Sequence, residues 1–233
     1  MSAVAGRTRS AVLQAIETSG VVAVIRVREP EVVQGVVDAL LAGGVTALEI
    51  TMTVPRAVEL IAQIAPKLPP EFLLGAGTVI DAQTARKVID AGARFIVSPV
   101  YRPEVIDVCR ERDIVSAPGC FTPTEILSAW EQGADVVKVF PATALGPGYI
   151  KDVMAPLPQV KLMPTGGVTK ENAGDWIKAG AVALGVGTSM VDAKAVAERR
   201  FEVVTANARH FVNAVEQARA TAKPRTESAT PKA

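Results

Sequence analysis

The 233-residue sequence predicts an α/β chain folded as a (β/α)8 TIM barrel with an extra N-terminal helix and a C-terminal helix. Three observations carry that expectation. Eight short apolar stretches recur along the chain. Segments with helical periodicity separate them, for example "PEVVQGVVDALLAGG" and "DAQTARKVIDAGA". Four of those segments end on glycine with an apolar stretch directly behind: "LAGGVTALEI", "DAGARFIVSP", "EQGADVVKVF" and "KAGAVALGVG". Glycine there supplies the left-handed residue that closes a helix. The repeat is therefore helix, glycine stop, strand, which implies a parallel sheet with right-handed crossovers. A doubly wound open sheet is the structural alternative.

In chain order, an amphipathic helix is expected around residues 6–19. The first strand is "VVAVIRV" from Val21, and "TALEITM" from Thr46, "FLLGAGTV" from Phe72 and "RFIVSP" from Arg94 follow. "IVSAPG" from Ile114, "DVVKVFP" from Asp135, "VKLMPTGG" from Val160 and "AVALGVGTS" from Ala181 complete the eight. Strand starts lie about 20 to 26 residues apart, the length of one βα unit. A last helix is expected around residues 195–219, outside the barrel like the first. Residues 1–222 then form one barrel domain, and the polar, proline-containing residues 223–233 are expected to be a disordered tail.

Composition narrows the function. Hydrophobic residues make up 49% and aromatics only 4%, so the core must be built from Val, Ile, Leu and Ala, which suits covered parallel strands. With 25 basic and 24 acidic residues the net charge is +1, and no nucleic-acid partner is indicated. The lone His210 and two cysteines exclude a multi-ligand His/Cys zinc site and a His-based triad. Cys109 and Cys120 read as buried reduced thiols, hence a cytoplasmic protein. No apolar run approaches the roughly 20 residues of a membrane span, and a signal-peptide core is lacking.

Chemistry in a barrel of this kind sits where strands end and βα loops begin. Lys138 interrupts the apolar run "DVVKVFP". Side chains alternate along a strand, so Val136, Lys138 and Phe140 share one face and Val137 and Val139 the other. Facing inward, Lys138 would be an amine whose ammonium is disfavoured by burial, the condition for a Schiff base with a ketone or aldehyde. Facing outward, it would snorkel between helices or pair with Asp135. Glu49 in "ALEITMTVP" is the second charge inside an apolar strand. It is either a structural ion pair or, with no histidine to hand, the general acid–base that imine chemistry requires.

Arg26 ends the first strand and suits a carboxylate through two hydrogen bonds, or else forms a surface ion pair. Thr78, Pro99 and Thr165 could line the pocket, or could be ordinary strand-end turn residues. Gly166, Gly167 and Gly187 permit close backbone approach after the last two strands, where barrels often hold phosphate. Thr188 and Ser189 add N-capping hydroxyls there.

Taken in order, "LEIT", "GAGTV", "FIVSP", "PG" with "TPTE", "VKVFPA", "PTGGV" and "GVGTSMV" resemble the 2-keto-3-deoxy-6-phosphogluconate aldolase family, which includes 4-hydroxy-2-oxoglutarate aldolases. The similarity runs from about Val21 to about Val191. The resemblance implies a metal-independent class I aldolase without cofactor, trimeric, cleaving a 2-keto-3-deoxy-phosphosugar acid to pyruvate and glyceraldehyde 3-phosphate. It places the Schiff-base lysine on Lys138 and the proton-transferring glutamate on Glu49. Thr78, Pro99, Phe140 and Thr165 match its pocket, and Gly166, Gly167, Gly187 and Thr188 its phosphate side. Many members carry "TLRT" after the glutamate, with an arginine that grips the pyruvyl carboxylate; here the segment is "TMTV", with Thr53 at that position. Arg26 is the expected substitute, an arrangement also found in a relative that uses the galactose-configured substrate. An isomerase or decarboxylase on the same barrel, with Lys138 acting as a charge only, is the rival enzyme. A non-catalytic oligomeric scaffold or sensor is the rival outside enzymology.

Overall fold

A computed structural model describes residues 8–221, so the expected tail lies outside the described residues. The chain opens with α1 (Arg9–Ser19) and then alternates strand and helix: β1 (Val21–Ile25), α2 (Val33–Ala42), β2 (Ala47–Thr51), α3 (Ala57–Ile64), β3 (Leu73–Gly77) and α4 (Ala82–Asp90). It continues with β4 (Phe95–Val97), α5 (Pro103–Glu111), β5 (Val115–Ala117), β6 (Gly119–Cys120), α6 (Pro123–Glu131), β7 (Val137–Val139) and α7 (Pro147–Met154). The last elements are β8 (Leu162–Pro164), α8 (Ala173–Lys178), β9 (Leu184–Val186), α9 (Ala193–Ala197) and α10 (Phe201–Thr221).

All eight expected strands form, and every pairing is parallel. One ladder runs β5-β4-β3-β2-β1-β9 and a second runs β6-β7-β8. Two junctions close the circle. A parallel bridge between Thr165 and Gly185 joins β8 to β9. On the other side the fifth stretch is split by Pro118, which has no N–H to give the ladder, so β5 pairs with β4 while β6 turns to β7. The glycine stops behave as the pattern requires: Gly44, Gly92, Gly133 and Gly180 all have φ between 89° and 111°.

The strands divide the core into two shells. Val21, Ala23 and Ile25 of β1, with Val137 and Val139 of β7, pack outward against the helices. Val22, Ala47, Leu73, Phe95, Val115, Val136 and Ala183 fill the inside toward the N-terminal ends of the strands. α1 stoppers that end, sending Val12 and Ile16 into the same interior cluster. Arg9 clamps it by donating to both Asp135 oxygens at 2.9 Å and to the Gly133 carbonyl at 2.8 Å. The expected C-terminal helix is two helices, because Arg199 adopts a left-handed φ of 55° and breaks it. α10 then packs across both α8 and α2, completing the outer ring where the five-residue α9 is too short to do so. The terminal helices are thus parts of the barrel's packing and not appendages to it.

Candidate active site

Lys138 sits at the centre of β7, in register with Gly119 on β6 and Met163 on β8. Its neighbour Val136 belongs to the interior cluster while Val137 and Val139 face the helices, so the alternation turns Lys138 inward. The residue is 5% exposed, and its Nζ lies 4.7 Å from the centroid of the Phe140 ring. The outward, snorkelling arrangement is ruled out by this geometry. Glu49 lies on β2 between Val24 and Gly75 and is 1% exposed. Its Oε2 is buried with no hydrogen-bond partner among the described residues.

The two charges share one chamber and act on each other. Burial, first, pushes the Lys138 amine below its ordinary value; the nearby Arg26 cation adds to this and the Glu49 carboxylate opposes it. Burial, first, raises the Glu49 carboxyl, against the pull of Lys138 and Arg26. Both shifts favour uncharged forms. A neutral amine beside a group able to exchange a proton is what addition to a carbonyl requires.

Arg26 is the first residue after β1 and is exposed. Its guanidinium makes no hydrogen bond or ion pair among the described residues, so it is available to an anion at the rim. Two threonines of β2 and its following loop reach toward the end of β1. Thr51, buried on the same face of β2 as Glu49, donates to the Ile25 carbonyl at 3.1 Å. Its one proton being used there, Thr53 must donate across the 2.7 Å that separates their hydroxyls. The end of β1, where Arg26 begins, is thereby tied to the loop that carries Thr53.

The remaining expected residues surround the same rim. Thr78 follows β3 in a left-handed conformation, φ 59°, which a β-branched residue adopts only at a cost of order 1–3 kcal/mol. Pro99 follows β4 and packs directly on Gly119. Thr165 follows β8, is 7% exposed, and its Oγ1 has no partner among the described residues. Gly166 and Gly167 both have positive φ, at 84° and 73°. Thr143, in the loop after β7, packs against both glycines and was not anticipated. The amides of Gly167, Thr188 and Ser189 make no backbone hydrogen bond among the described residues, which leaves three donors in the loops after β8 and β9. The capping role expected of Thr188 and Ser189 is not found. A turn closed by Met190 and Val191 donating to the Gly187 carbonyl delays the helix, and Asp192 caps α9 instead by accepting from the Ala195 amide.

The comparisons with known proteins bear on the family. Residues 12–207 match the family model for KDPG and KHG aldolase, that is, 2-keto-3-deoxy-6-phosphogluconate and 4-hydroxy-2-oxoglutarate aldolase. The chain belongs to that family. It is an aldolase, a carbon–carbon lyase. Among its relatives, a probable 2-dehydro-3-deoxy-6-phosphogalactonate aldolase of Rhizobium meliloti is 38% identical over 72% of this chain and 80% of its own. A 2-dehydro-3-deoxy-phosphogluconate aldolase of Treponema pallidum is 35% identical over 84% and 93%. Among solved structures, a native KDPGal structure superposes with TM-score 0.80 at 32% identity, covering 86% of this aldolase and 96% of that chain. The KDPG aldolase of Legionella pneumophila, with pyruvate captured as a covalent carbinolamine, gives 0.79 at 30% over 87% and 97%.

The thiols stand apart from this site in chemistry. Cys109 and Cys120 are unpaired and buried, and burial pushes each up to about 12, so neither is a nucleophile at neutral pH. No helix among the described residues is long and apolar enough to cross a membrane.

Proposed function

We propose that the protein is a class I aldolase that cleaves a 2-keto-3-deoxy-6-phospho sugar acid, reversibly, to pyruvate and glyceraldehyde 3-phosphate. The observation that carries the reading is the burial of Lys138 and Glu49 in one chamber, with each group pushed toward its neutral form. The Lys138 amine adds to the C2 ketone, and the Glu49 carboxyl gives its proton to the carbinolamine hydroxyl, which leaves as water to give an iminium beside a carboxylate. Glu49 takes the C4 hydroxyl proton as the C3–C4 bond breaks, and the aldehyde leaves. The electron pair moves into the iminium as an enamine, Glu49 returns its proton to C3, and water hydrolyses the resulting iminium to pyruvate and free Lys138. The iminium is the electron sink, so the bond breaks without a metal or organic cofactor. Arg26 holds the carboxylate, Thr78, Pro99, Phe140 and Thr165 shape the pocket, and Gly166, Gly167, Gly187, Thr188 and Ser189 receive the phosphate.

The gluconate-derived epimer is the first reading and the galactonate-derived epimer the second. The second is favoured by Arg26 standing at the end of β1 with Thr53 in place of the family's arginine, and by the 38% identical relative named for the galactonate-derived substrate. As part of the same proposal the enzyme works as a cytoplasmic homotrimer. The test is incubation with pyruvate and borohydride followed by peptide mapping. A stable adduct on Lys138, absent from Lys138→Ala, is the expected result; no adduct, or one elsewhere, overturns the assignment. A side-by-side kcat/KM on both epimers and on 4-hydroxy-2-oxoglutarate decides the substrate.

A further inference from the structure

We infer that Gly77 is a positioning residue for Glu49: the side chain it lacks is what lets the carboxylate lean toward the C-terminal rim of the barrel. This rests on the proposed proton-transfer role of Glu49. Glu49 is opposite Gly75 in the register of β2 and β3, while Gly77 is opposite Thr51, one inward-facing step nearer the rim. Yet it is at Gly77 that the carboxylate arrives. A Cβ built on Gly77 would meet Glu49 Oε1 at 2.5 Å, Cδ at 2.7 Å and Oε2 at 3.2 Å. The glycine is not there for its backbone, because Gly77 is absent from the positive-φ positions and any L residue could adopt its conformation. Nor is it a tolerated accident of a strand, where glycine forfeits packing and entropy. It is there for space.

Gly75 completes the device from below. A Cβ on Gly75 would lie 2.4 Å from the Phe95 ring, so its absence admits that ring as the floor of the chamber. Glu49 is left with an apolar ring beneath it, and its carboxylate fills the space that a Gly77 side chain would take. The atoms that a Gly77 Cβ would strike belong to the end of a flexible side chain and not to backbone. An added methyl group therefore displaces the carboxylate while the strand stays in place. Misplacing a reacting group by about 1 Å costs on the order of 100-fold in rate.

The experiment uses Gly77→Ala, Glu49→Asp, the double variant and Glu49→Gln, with two readouts on pyruvate. Borohydride trapping on Lys138 reports imine formation, and deuterium uptake into the methyl group from heavy water reports proton transfer. In Gly77→Ala, the trapped end-point stays near that of the unsubstituted protein while exchange falls about 100-fold. Glu49→Asp retracts the carboxylate by one methylene, so adding Gly77→Ala to it costs less than tenfold further. Equal exchange in Gly77→Ala and the unsubstituted protein overturns the inference, as does a double variant in which the two losses simply multiply. If Glu49→Gln exchanges as fast as the unsubstituted protein, the role of Glu49 itself falls and the inference with it. Loss of trapping in the unsubstituted protein points instead to failure of the aldolase reading.

Discussion

Replacing both buried charges, Lys138→Met with Glu49→Met, should yield a protein that is more stable and inactive. Both side chains are at least 95% buried, and Oε2 of Glu49 has no hydrogen bond to offset its lost water. No ion pair joins the two among the described residues, so Coulomb attraction recovers only part of the desolvation cost. Exchanging buried charges for apolar side chains of similar volume is neutral to stabilising by about 1–4 kcal/mol. With the carboxylate so poorly satisfied, about 2 kcal/mol is expected, or roughly 4–8 °C in Tm for a chain of this size. The single Lys138→Met leaves Glu49 near Arg26 alone and gains less. The pH dependence has a definite sign. Lys138 is depressed in the folded state, so its penalty is full below the folded value and vanishes as pH rises toward the ordinary 10.5. Glu49 is raised, so its penalty vanishes as pH falls to the ordinary 4.5 and is full above the folded value. The stability gap between the double variant and the unsubstituted protein is therefore widest near neutrality and narrows toward both ends. Urea unfolding across pH 5–9 measures it. A double variant less stable by more than about 1 kcal/mol at pH 7 refutes the reasoning, since the charges would then be holding the fold together.

Arg26→Ala should raise KM for pyruvate-type substrates about 10- to 100-fold with kcat little changed, the loss of one charge-assisted carboxylate contact worth about 1.5–3 kcal/mol. Thr53→Arg in that background should recover most of the loss, because Thr51 ties the ends of β1 and β2 together; an unchanged KM in Arg26→Ala sinks the assignment. Gly119→Ala should cost about 2–3 kcal/mol of stability, since its Cβ would lie 2.3 Å from the carbonyl carbon and oxygen of Pro99, backbone that cannot swing aside. Gly148→Ala is its control, with nothing within 4 Å of the new methyl group and an expected change within about 1 kcal/mol. Equal unfolding midpoints for the two variants would remove the distinction between giving and unyielding neighbours.

The apolar pattern, repeated eight times, and the glycine stops, repeated four times, determined the parallel order and the barrel because those signals are local, while the split of the fifth stretch at Pro118 made nine strands of the eight expected. The same pattern isolated Lys138 and Glu49, since a charge in an apolar strand is conspicuous in one dimension. Three things needed the third dimension. That Lys138 points inward depends on which face of β7 the helices cover, and the identical alternation would serve an outward lysine. That the end of β1, where Arg26 begins, is tied to the loop carrying Thr53 depends on β1 and β2 being neighbours, with Thr51 bonding across 26 residues of sequence. That Asp192 and not Thr188 or Ser189 caps α9 depends on a turn whose hydrogen bonds no composition announces. Gly77 is the sharpest case. In the sequence it is one glycine in "GAGTV", and only the placement of β2 against β3 turns its missing side chain into the space that Glu49 occupies. Local sequence sets what each strand is made of, whereas an empty volume belongs to no single strand and exists only between packed ones.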